Sequence, residues 1–469
     1  MTERIIINPL TRISGFMEID VSIQNNIVVD ARTSGGLFRG FERMLEGRNP
    51  FDAVYFTQRI CGICSAAHSI ASTLALEDAM KIVPTEQGRY LRDIIHGCEF
   101  LQNHLRHFYQ YTIPDFVKMP QSIPFYETDH NDFRLPENIN AKLVEHYFQS
   151  LEISRSAHEM LAVLGGKAPH NHGVFLGGIT TAPTTDKIIK MKSILHNIRE
   201  FIINFMVPDV HLIAQYYYDY FSLGVGYGNL LSFGCFNDYK SLGTLYVKPS
   251  VYNGRTITSF DSSKITEKID YSWYIGSKQE YKPTEEMPKD DMKKDRAYTW
   301  VKAARYEGVP YEVGPIVRMF LSGEYTNGIS MMDRTIARVL EAKKITDIIG
   351  ILLENVIAGV DSQKEYNLPD SAQGLGLIDT TRGALGHWLK IDKEVISFYQ
   401  IITPTVWNLS AQDILFKGTI EQALLGTVIQ DTKRPVELGR IIRSFDPCVS
   451  CATHVYIPGK EVRTIMVMP

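Results

Sequence analysis

The chain has 469 residues, 44% of them hydrophobic and 22% charged, which is the composition of a folded globular protein with room for two or three domains. Its 49 basic and 53 acidic residues give a net charge of -4, and no basic tract supports nucleic-acid binding. Six cysteines are too few for a disulfide scaffold. The opening stretch, MTERIIINPLTRISGF, has no apolar run of signal-peptide length and no twin arginine, so we expect any export to depend on another polypeptide.

The first half of the chain predicts a hairpin followed by long helices. Residues 16–34 alternate apolar and polar side chains around Asn25 and Asn26, a pattern typical of a β-hairpin. Beyond them the apolar residues recur at helical spacing. The predicted helices cover residues 62–82, 85–111, 139–166 with a stop at Gly165 and Gly166, and 184–221 with a kink at Pro208.

The second half mixes strands and helices. Residues 229–315 are rich in Gly, Ser, Thr and Tyr and hold many short strand-like runs. A helix is predicted at 333–357, and its apolar run is too short and too polar to span a bilayer, so we expect it to be buried. Strands are predicted within residues 387–407 and a short helix within 435–445.

These elements predict an α+β fold that is mainly α, a core bundle of long helices with small β-subdomains. No internal repeat and no low-complexity linker interrupts it. We divide the chain into an N-terminal hairpin region, a helical core, a β-rich insert and a C-terminal helical and β part, which cover residues 1–50, 51–228, 229–315 and 316–454.

The cysteines form two CxxC pairs near opposite ends of the chain, Cys61 with Cys64 and Cys448 with Cys451. Zinc ribbons place their pairs much closer together, so spacing alone leaves open a four-thiolate metal site or two unrelated pairs. The first pair falls where a loop enters a helix, and backbone N–H groups there can stabilise thiolates. Four thiolates select soft or borderline metals such as nickel, iron, zinc or Cu(I).

The neighbours of these cysteines favour more than a closed structural site. Asp446, His68, His454 and Glu42 are groups that suit a hard cation or a proton path. A structural zinc site has no need of them, nor of Arg382 in the block TRGALGHW. A reactive metal centre is therefore favoured over a plain zinc site.

At this point the chain resembles the large, catalytic subunit of nickel–iron hydrogenases. RICGIC followed by a histidine resembles that family's N-terminal metal signature, and DPCVSCATH its C-terminal one. Four interior blocks fall in the family's order, whereas residues 229–290 match nothing in it. The blocks are LFRGFERMLEGRNP, GGKAPHNHGVFLGG, KAARYEGVPYEVGPIVR and TRGALGHW. The resemblance implies the large-subunit fold and heterolytic splitting of hydrogen, and short blocks are similar to the respiratory uptake branch. A hydrogen-sensing subunit or a non-catalytic four-thiolate zinc protein is the alternative.

The resemblance also implies a set of ligands. Cys61 and Cys448 match the terminal nickel thiolates, and Cys64 and Cys451 match the thiolates that bridge nickel to iron. The iron of that family carries carbon monoxide and two cyanides, and the positions of Arg382 and Thr405 are those that hydrogen-bond the cyanides. The ligands implied for a magnesium ion beside the site are Glu42, His454 and the backbone carbonyl of Ile401.

Roles and partners follow from the same resemblance. Cys448 is the implied proton acceptor, with Arg382 over the open side and Asp446 as its acidic partner. Electrons must leave through another polypeptide, because only Cys98 and Cys235 remain and a cluster needs about four cysteines. The implied partners are an iron–sulfur small subunit, a maturation protease, nickel-insertion proteins and a membrane cytochrome b. The implied location is the outer face of the cytoplasmic membrane or the periplasm, with the cytoplasm as the alternative.

The chain departs from the family pattern at two positions and carries a tail. Where that family reads TRIEGH this chain reads TRISGF, so Ser14 replaces the glutamate that first accepts the proton beyond the cysteine. A hydroxyl can relay a proton but cannot hold one as a carboxylate does. Asn103 replaces an aspartate beside the site. The resemblance further implies that a protease removes residues 455–469 after His454.

Overall fold

The computed structural model describes residues 2–36, 38–121 and 130–449. Its N-terminal sheet is antiparallel, in the order β1–β2–β3. The strands are β1 (Thr2–Ile7), β2 (Met17–Gln24) and β3 (Ile27–Gly35). Asn25 and Asn26 join β2 to β3 with φ of 52° and 61°. Two consecutive left-handed residues form the turn that matches the twist of paired strands, so the predicted hairpin is confirmed.

A helical core follows the hairpin. Its helices are α1 (Phe41–Leu45), α2 (Asp52–Phe56), α3 (Ser65–Met80), α4 (Glu86–Arg106), α5 (Glu137–Gly165), α6 (Thr185–Phe201) and α7 (Val207–Tyr216). Residues 184–221, predicted as one kinked helix, are divided by a π-helical turn at Ile202–Met206. Pro208 follows this turn as the second residue of α7, so its missing N–H falls where the regular α-helical hydrogen bonds are already interrupted.

The insert is built from short antiparallel strands, as predicted. After a two-stranded ribbon within the helical core come the three-stranded sheets β6–β7–β8 and β11–β9–β13 and the ribbon β10–β12. The strands are β4 (Val174–Phe175), β5 (Gly178–Ile179), β6 (Asn229–Ser232), β7 (Ser250–Asn253), β8 (Ile257–Ser259), β9 (Ile265–Lys268), β10 (Tyr274–Ile275), β11 (Glu280–Tyr281), β12 (Lys289–Asp290) and β13 (Ala303–Tyr306).

The C-terminal part supplies a long helix and a three-stranded antiparallel sheet in the order β14–β15–β16. Its elements are α8 (Pro315–Leu321), α9 (Met331–Asn355), β14 (Ser371–Thr380), β15 (Gly383–Asp392), β16 (Val395–Ile402), α10 (Pro404–Asn408), α11 (Thr419–Leu424) and α12 (Val436–Ser444). Helix α9 is largely buried and packs on α4 and α6, as the sequence predicts. Among the described residues, no helix has the length and apolarity needed to cross a membrane.

Helix α3 lies directly on strand β14, and two glycines make this possible. A Cβ atom at Gly376 would lie 2.0 Å from the carbonyl oxygen of Ala71, and one at Gly374 would lie 2.0 Å from that of Ala75. Contacts this short do not occur between real atoms, so only glycine lets the helix and the strand approach so closely. The start of α3, where the first cysteine pair lies, is thereby fixed against the C-terminal sheet.

Replacing Gly376 by alanine should therefore destabilise the fold. The added methyl group has no space except by moving α3 off the sheet, which costs about 1–3 kcal/mol for an overpacked core. The denaturant midpoint of unfolding measures this. Gly350→Ala is the matched control, because Gly350 lies inside α9 and its Cβ would meet nothing within 4 Å; a gain of about 0.5–1 kcal/mol is expected there. Equal midpoints for the two variants would contradict the close packing.

Candidate metal centre

Three cysteine sulfurs meet in the interior of the molecule. Cys61 follows a short 3-10 turn, Cys64 is the N-cap of α3, and Cys448 lies just beyond α12. Their sulfur atoms all lie within 4.8 Å of one another, with 3.3 Å between those of Cys61 and Cys448, and all three residues are buried. In the described part of the chain this is the one group of three or more potential metal ligands.

The other predicted ligands divide into those the structure describes and those it does not. Cys451 and His454, with the tail 455–469, lie outside the described residues. Cys98 and Cys235 are buried, and burial raises the pKa of both thiols. They do not belong to the thiol cluster, so they behave as small core residues.

Ser14 and Thr405 both contact the segment that carries Cys448. The Cys448 backbone N–H donates to Thr405 Oγ1 at 3.0 Å, and the Cys448 thiol lies 3.4 Å from Ser14 Oγ. The Val449 N–H donates to the Ser14 carbonyl at 2.7 Å. Two of the predicted site residues are thus brought against the same cysteine.

Arg382 and Asp446 form a buried ion pair beside the thiols. Arg382 Nη2 donates to Asp446 Oδ1 at 3.0 Å and to Asn103 Oδ1 at 2.9 Å, and its Nε donates to the Asp446 carbonyl at 2.9 Å. Burial alone would lower the pKa of Arg382, but Asp446 and the three thiols raise it well above its usual value. The remaining nitrogen, Nη1, is buried and has no hydrogen-bond partner within residues 2–36, 38–121 and 130–449.

Asn103 has a role that an ionised aspartate could not fill. Its amide nitrogen donates to Asp446 Oδ2 at 2.9 Å while its oxygen accepts from Arg382. Arg338 of α9, which sequence reasoning missed, donates to the same Asp446 oxygen at 3.2 Å. Burial raises the pKa of Asp446, but Arg382, His107 and Arg338 lower it to below its usual value overall, so this carboxylate stays ionised.

A second group of polar atoms lies where α1 packs on β16. Glu42 of α1 is half-buried, and burial raises its pKa. Beside Ile401, the Gln400 amide donates to Glu267, which also accepts from Lys302 at 2.5 Å. The other oxygens of Glu267 and Gln400 are buried without a partner among the described residues. Free carboxylate and amide oxygens suit a hard cation that keeps part of its water shell.

Glu267 lies in β9, within residues 229–290, where none of the family's sequence blocks falls. The structure places it on the buried side of β9, which alternates buried and half-buried residues, and the sequence alone gives no sign of this burial. His68, by contrast, is one of the groups that the sequence places beside the first cysteine pair. It lies 3.1 Å from His387, which contacts the Tyr399 hydroxyl at 2.8 Å, and burial lowers the pKa of His68 to about 4. It is therefore neutral.

Glu99 was also missed by sequence reasoning. It is buried on α4 and accepts hydrogen bonds from the Ala66 and Ala67 N–H groups at 2.6 and 3.0 Å. These are free amides of the first turn of α3, which every helix must satisfy from outside. Burial raises the pKa of Glu99 from 4.5 to about 8, against the lowering effect of the two amides and of Arg382. Nothing in the local pattern of α4 distinguishes it from a surface acid.

The sequence matches known proteins over nearly its whole length. A sequence model described as nickel-dependent hydrogenase matches residues 39–127 and 113–454. The large subunit of the periplasmic [NiFeSe] hydrogenase of Desulfomicrobium baculatum is 35% identical, covering 96% of this chain and 95% of its own. The chain belongs to the nickel-dependent hydrogenase family. The resemblance to the large subunit of hydrogenases is thus confirmed, and the enzyme is an oxidoreductase that acts on hydrogen.

Further relatives support the same assignment for this hydrogenase chain. The hydrogenase-2 large chain of Escherichia coli K12 is 29% identical over the whole of both chains. The solved Ni-Fe-Se hydrogenase of D. vulgaris Hildenborough superposes with a TM-score of 0.93 at 36% identity, covering 97% of this chain and 100% of that one. The predicted helix-rich fold with small sheets is confirmed. Nickel and iron are the metals of such a hydrogenase, and hydrogenase large subunits pair with a small subunit. One relative is named periplasmic.

The raised pKa of Glu99 predicts a pH dependence of stability. Between about pH 4.5 and pH 8 the folded carboxyl keeps a proton that the unfolded chain releases, so the free energy of unfolding falls as pH rises through this window. Glu99→Gln removes the titrating group and with it this contribution. Between about pH 4.5 and pH 8 the denaturant midpoint of unfolding should therefore fall further for the native chain than for the variant. Parallel pH profiles would contradict the assignment.

Proposed function

We propose that this hydrogenase subunit holds a nickel–iron pair through its four paired cysteines, with Cys61 and Cys448 on nickel and Cys64 and Cys451 between nickel and iron. The observation that carries the proposal is the cluster of three buried thiols within 4.8 Å. Thiolates are the donors that soft metals prefer. Selenium, named in several relatives, has no counterpart in this sequence, which has cysteine at all four positions.

Small anionic ligands on the iron fit the polar atoms beside the cluster. The buried Nη1 of Arg382 has no acceptor among the residues that the structure describes, and a buried guanidinium N–H requires one. The Thr405 hydroxyl accepts from Cys448, which leaves its own proton to donate. Both donors suit cyanide acceptors, with carbon monoxide as the third, weakly accepting ligand.

The metals, when bound, would polarise hydrogen so that it splits heterolytically into a proton and a hydride, which together amount to two protons and two electrons. The Cys448 sulfur takes the proton, because the Ser14 hydroxyl lies 3.4 Å from it and can pass the proton on. Ser14 relays the proton outward without holding it. Arg382 keeps its charge beside the reacting centre, since Asp446 and the thiols hold its pKa high, and it stabilises negative charge there.

A magnesium ion beside this centre is supported by the oxygen atoms around Glu42. Glu42, the carbonyl of Ile401 and His454 would hold the ion directly. Glu267 and Gln400 each have a buried oxygen without a partner among the described residues, and these suit water molecules on the ion.

Electrons leave this subunit through an iron–sulfur small subunit, because Cys98 and Cys235 are buried apart from the cluster and cannot hold a relay. The other partners we propose are a maturation protease, nickel-insertion proteins and, as for the respiratory branch, a membrane cytochrome b. Export together with the small subunit would place the complex in the periplasm or at the outer face of the cytoplasmic membrane. The periplasmic relative supports this location.

Cys448→Ser should abolish hydrogen oxidation, because a hydroxyl is a far poorer ligand for nickel and a weaker acid than a thiol. Dye-linked hydrogen uptake and metal analysis of the purified complex measure the effect. Cys98→Ala is the control, since Cys98 is buried in α4 away from the cluster, and it should keep nickel, iron and turnover. Substantial uptake by the Cys448 variant would refute the ligand assignment.

Ser14→Ala should slow exchange of hydrogen with deuterium while nickel and iron contents stay unchanged, because the variant removes only the relay hydroxyl. Ser222→Ala, at an exposed serine bonded to the Asp219 carbonyl, controls for the substitution itself. An exchange rate equal to that of the native enzyme would show that the proton leaves by another route, with Glu42 or Arg382 the next residues to replace.

We also propose that residues 455–469 are removed after nickel is inserted. The match to the hydrogenase family ends at residue 454, which supports His454 as the last residue of the mature chain. Before cleavage the tail would hold Cys451 away from the first pair and leave room for metal loading. The expectation that the tail also displaces Cys448 is wrong, because the Cys448 sulfur lies 3.3 Å from that of Cys61 in the chain that still carries residues 455–469. Intact-mass measurement on active enzyme should therefore give a chain ending at His454. An active, nickel-loaded chain ending at Pro469 would refute cleavage.

A further inference from the structure

A second layer of charged residues lies behind the pair of Arg382 and Asp446. Arg318 of α8 donates from Nε and Nη2 to the two oxygens of Glu341, at 2.7 Å each. His104 Nε2 lies 2.7 Å from Glu341, and the Tyr246 hydroxyl donates to it at 2.5 Å. Arg318, Glu341 and His104 are fully buried. None of them contacts the thiols, and the mechanism above uses none of them.

Arg318, Glu341 and His104 form this second layer, and each is linked through the backbone to a residue that surrounds Asp446. Arg318 Nη1 donates to the Thr380 carbonyl at 2.8 Å and Nη2 donates to the Thr381 carbonyl at 3.2 Å. These two carbonyls directly precede Arg382.

The two remaining links run along helices. Glu341 lies about one turn after Arg338 on α9, and Arg338 contacts Asp446. His104 follows Asn103 on α4, and Asn103 contacts both Arg382 and Asp446. The second layer therefore joins the three elements that carry the first: α4, α9 and the turn between β14 and β15.

Hydrophobic packing alone would not require these charges. Replacing a buried ion pair by apolar residues is often neutral or stabilising, so stability alone does not account for Arg318. An apolar residue could not donate hydrogen bonds to the adjacent backbone carbonyls of Thr380 and Thr381. A planar guanidinium does this while also holding a carboxylate, and a lysine ammonium cannot reproduce the fork. On the other side of the turn Gly383 has φ of 122°, so its backbone adopts a conformation that favours glycine.

We infer that Arg318, held in place by Glu341, is the positioning residue for Arg382: it fixes the turn that aims the free Nη1 into the metal centre. The inference rests on the role proposed above for Arg382. It makes Arg318 act through Arg382 and not on the substrate or the metals. Its contribution to turnover should therefore disappear once Arg382 itself has been changed.

A double-mutant cycle on the intact complex tests this. Arg318→Lys should keep nickel and iron but lower hydrogen turnover by about 10-fold to 100-fold, the effect of a misplaced catalytic group. Arg382→Lys should lower it as well, and adding Arg318→Lys to Arg382→Lys should change it by less than about twofold, since coupled residues are not additive. Amide exchange in the peptide that covers residues 380–383 should become faster in Arg318→Lys.

The matched control is Arg305→Lys. Arg305 is also fully buried, donates to Asp413 at 2.6 Å and to the Ala411 carbonyl at 3.0 Å, and does not contact the turn. It should lower stability without slowing turnover and without changing exchange at 380–383. Should Arg318→Lys fail to assemble, Glu341→Gln is used in the same cycle, with a smaller loss expected.

The outcomes separate the two proposals. Losses that multiply in the double variant, or native turnover in Arg318→Lys, overturn the positioning role and leave the role of Arg382 intact. Full turnover in Arg382→Lys overturns the proposed role of Arg382, and the positioning role with it. Slower turnover in both single variants, with a double variant within about twofold of Arg382→Lys and faster exchange at 380–383 in Arg318→Lys, supports both.

Discussion

The carboxylate of Asp446 is the point on which the arrangement of the centre depends. It receives hydrogen bonds from Asn103 of α4, Arg338 of α9 and Arg382 of the β14–β15 turn. Removing any one donor would leave a buried charge partly unpaired, which is far more destabilising than losing a surface ion pair. Because Asp446 stands two residues before Cys448, the same bonds that satisfy this charge determine where the last thiol of the cluster lies.

The other half of the cluster is fixed by packing. Helix α3 is pressed on β14 through glycine positions that exclude any side chain, and Glu99 satisfies two amides of its first turn from α4. The N-cap position of that helix is Cys64, and a cap is usually a residue whose side chain bonds those amides. With Glu99 on the amides, the cysteine sulfur lies in the thiol cluster. The position of Cys448 thus depends on charged hydrogen bonds, whereas the position of Cys61 and Cys64 depends on close packing.

Sequence reasoning reached the local structure and the paired cysteines because both leave periodic or short-range patterns. The Asn25–Asn26 turn, the start of α3 and the burial of α9 follow from residues close together in the chain. Glu267, Arg338 and Glu341 could not be found this way, since their partners lie far away in the sequence and an isolated charged residue in a helix or strand predicts only exposure. The π-helical turn before Pro208 has the same origin, because a proline shows where a helix changes but not how neighbouring helices absorb the change.

The hydrogen bond between the Val449 N–H and the Ser14 carbonyl joins the two ends of the described chain. During synthesis, residue 14 and the first cysteine pair leave the ribosome long before residue 449 does, and N-terminal parts fold first. The part of the centre that carries Cys61 and Cys64 can therefore be folded before the part that carries Cys448 has been synthesised. Closing so long a loop also has an entropic cost that a contact between near neighbours in sequence does not have. The order of translation by itself gives the enzyme a period in which its centre stands open on one side.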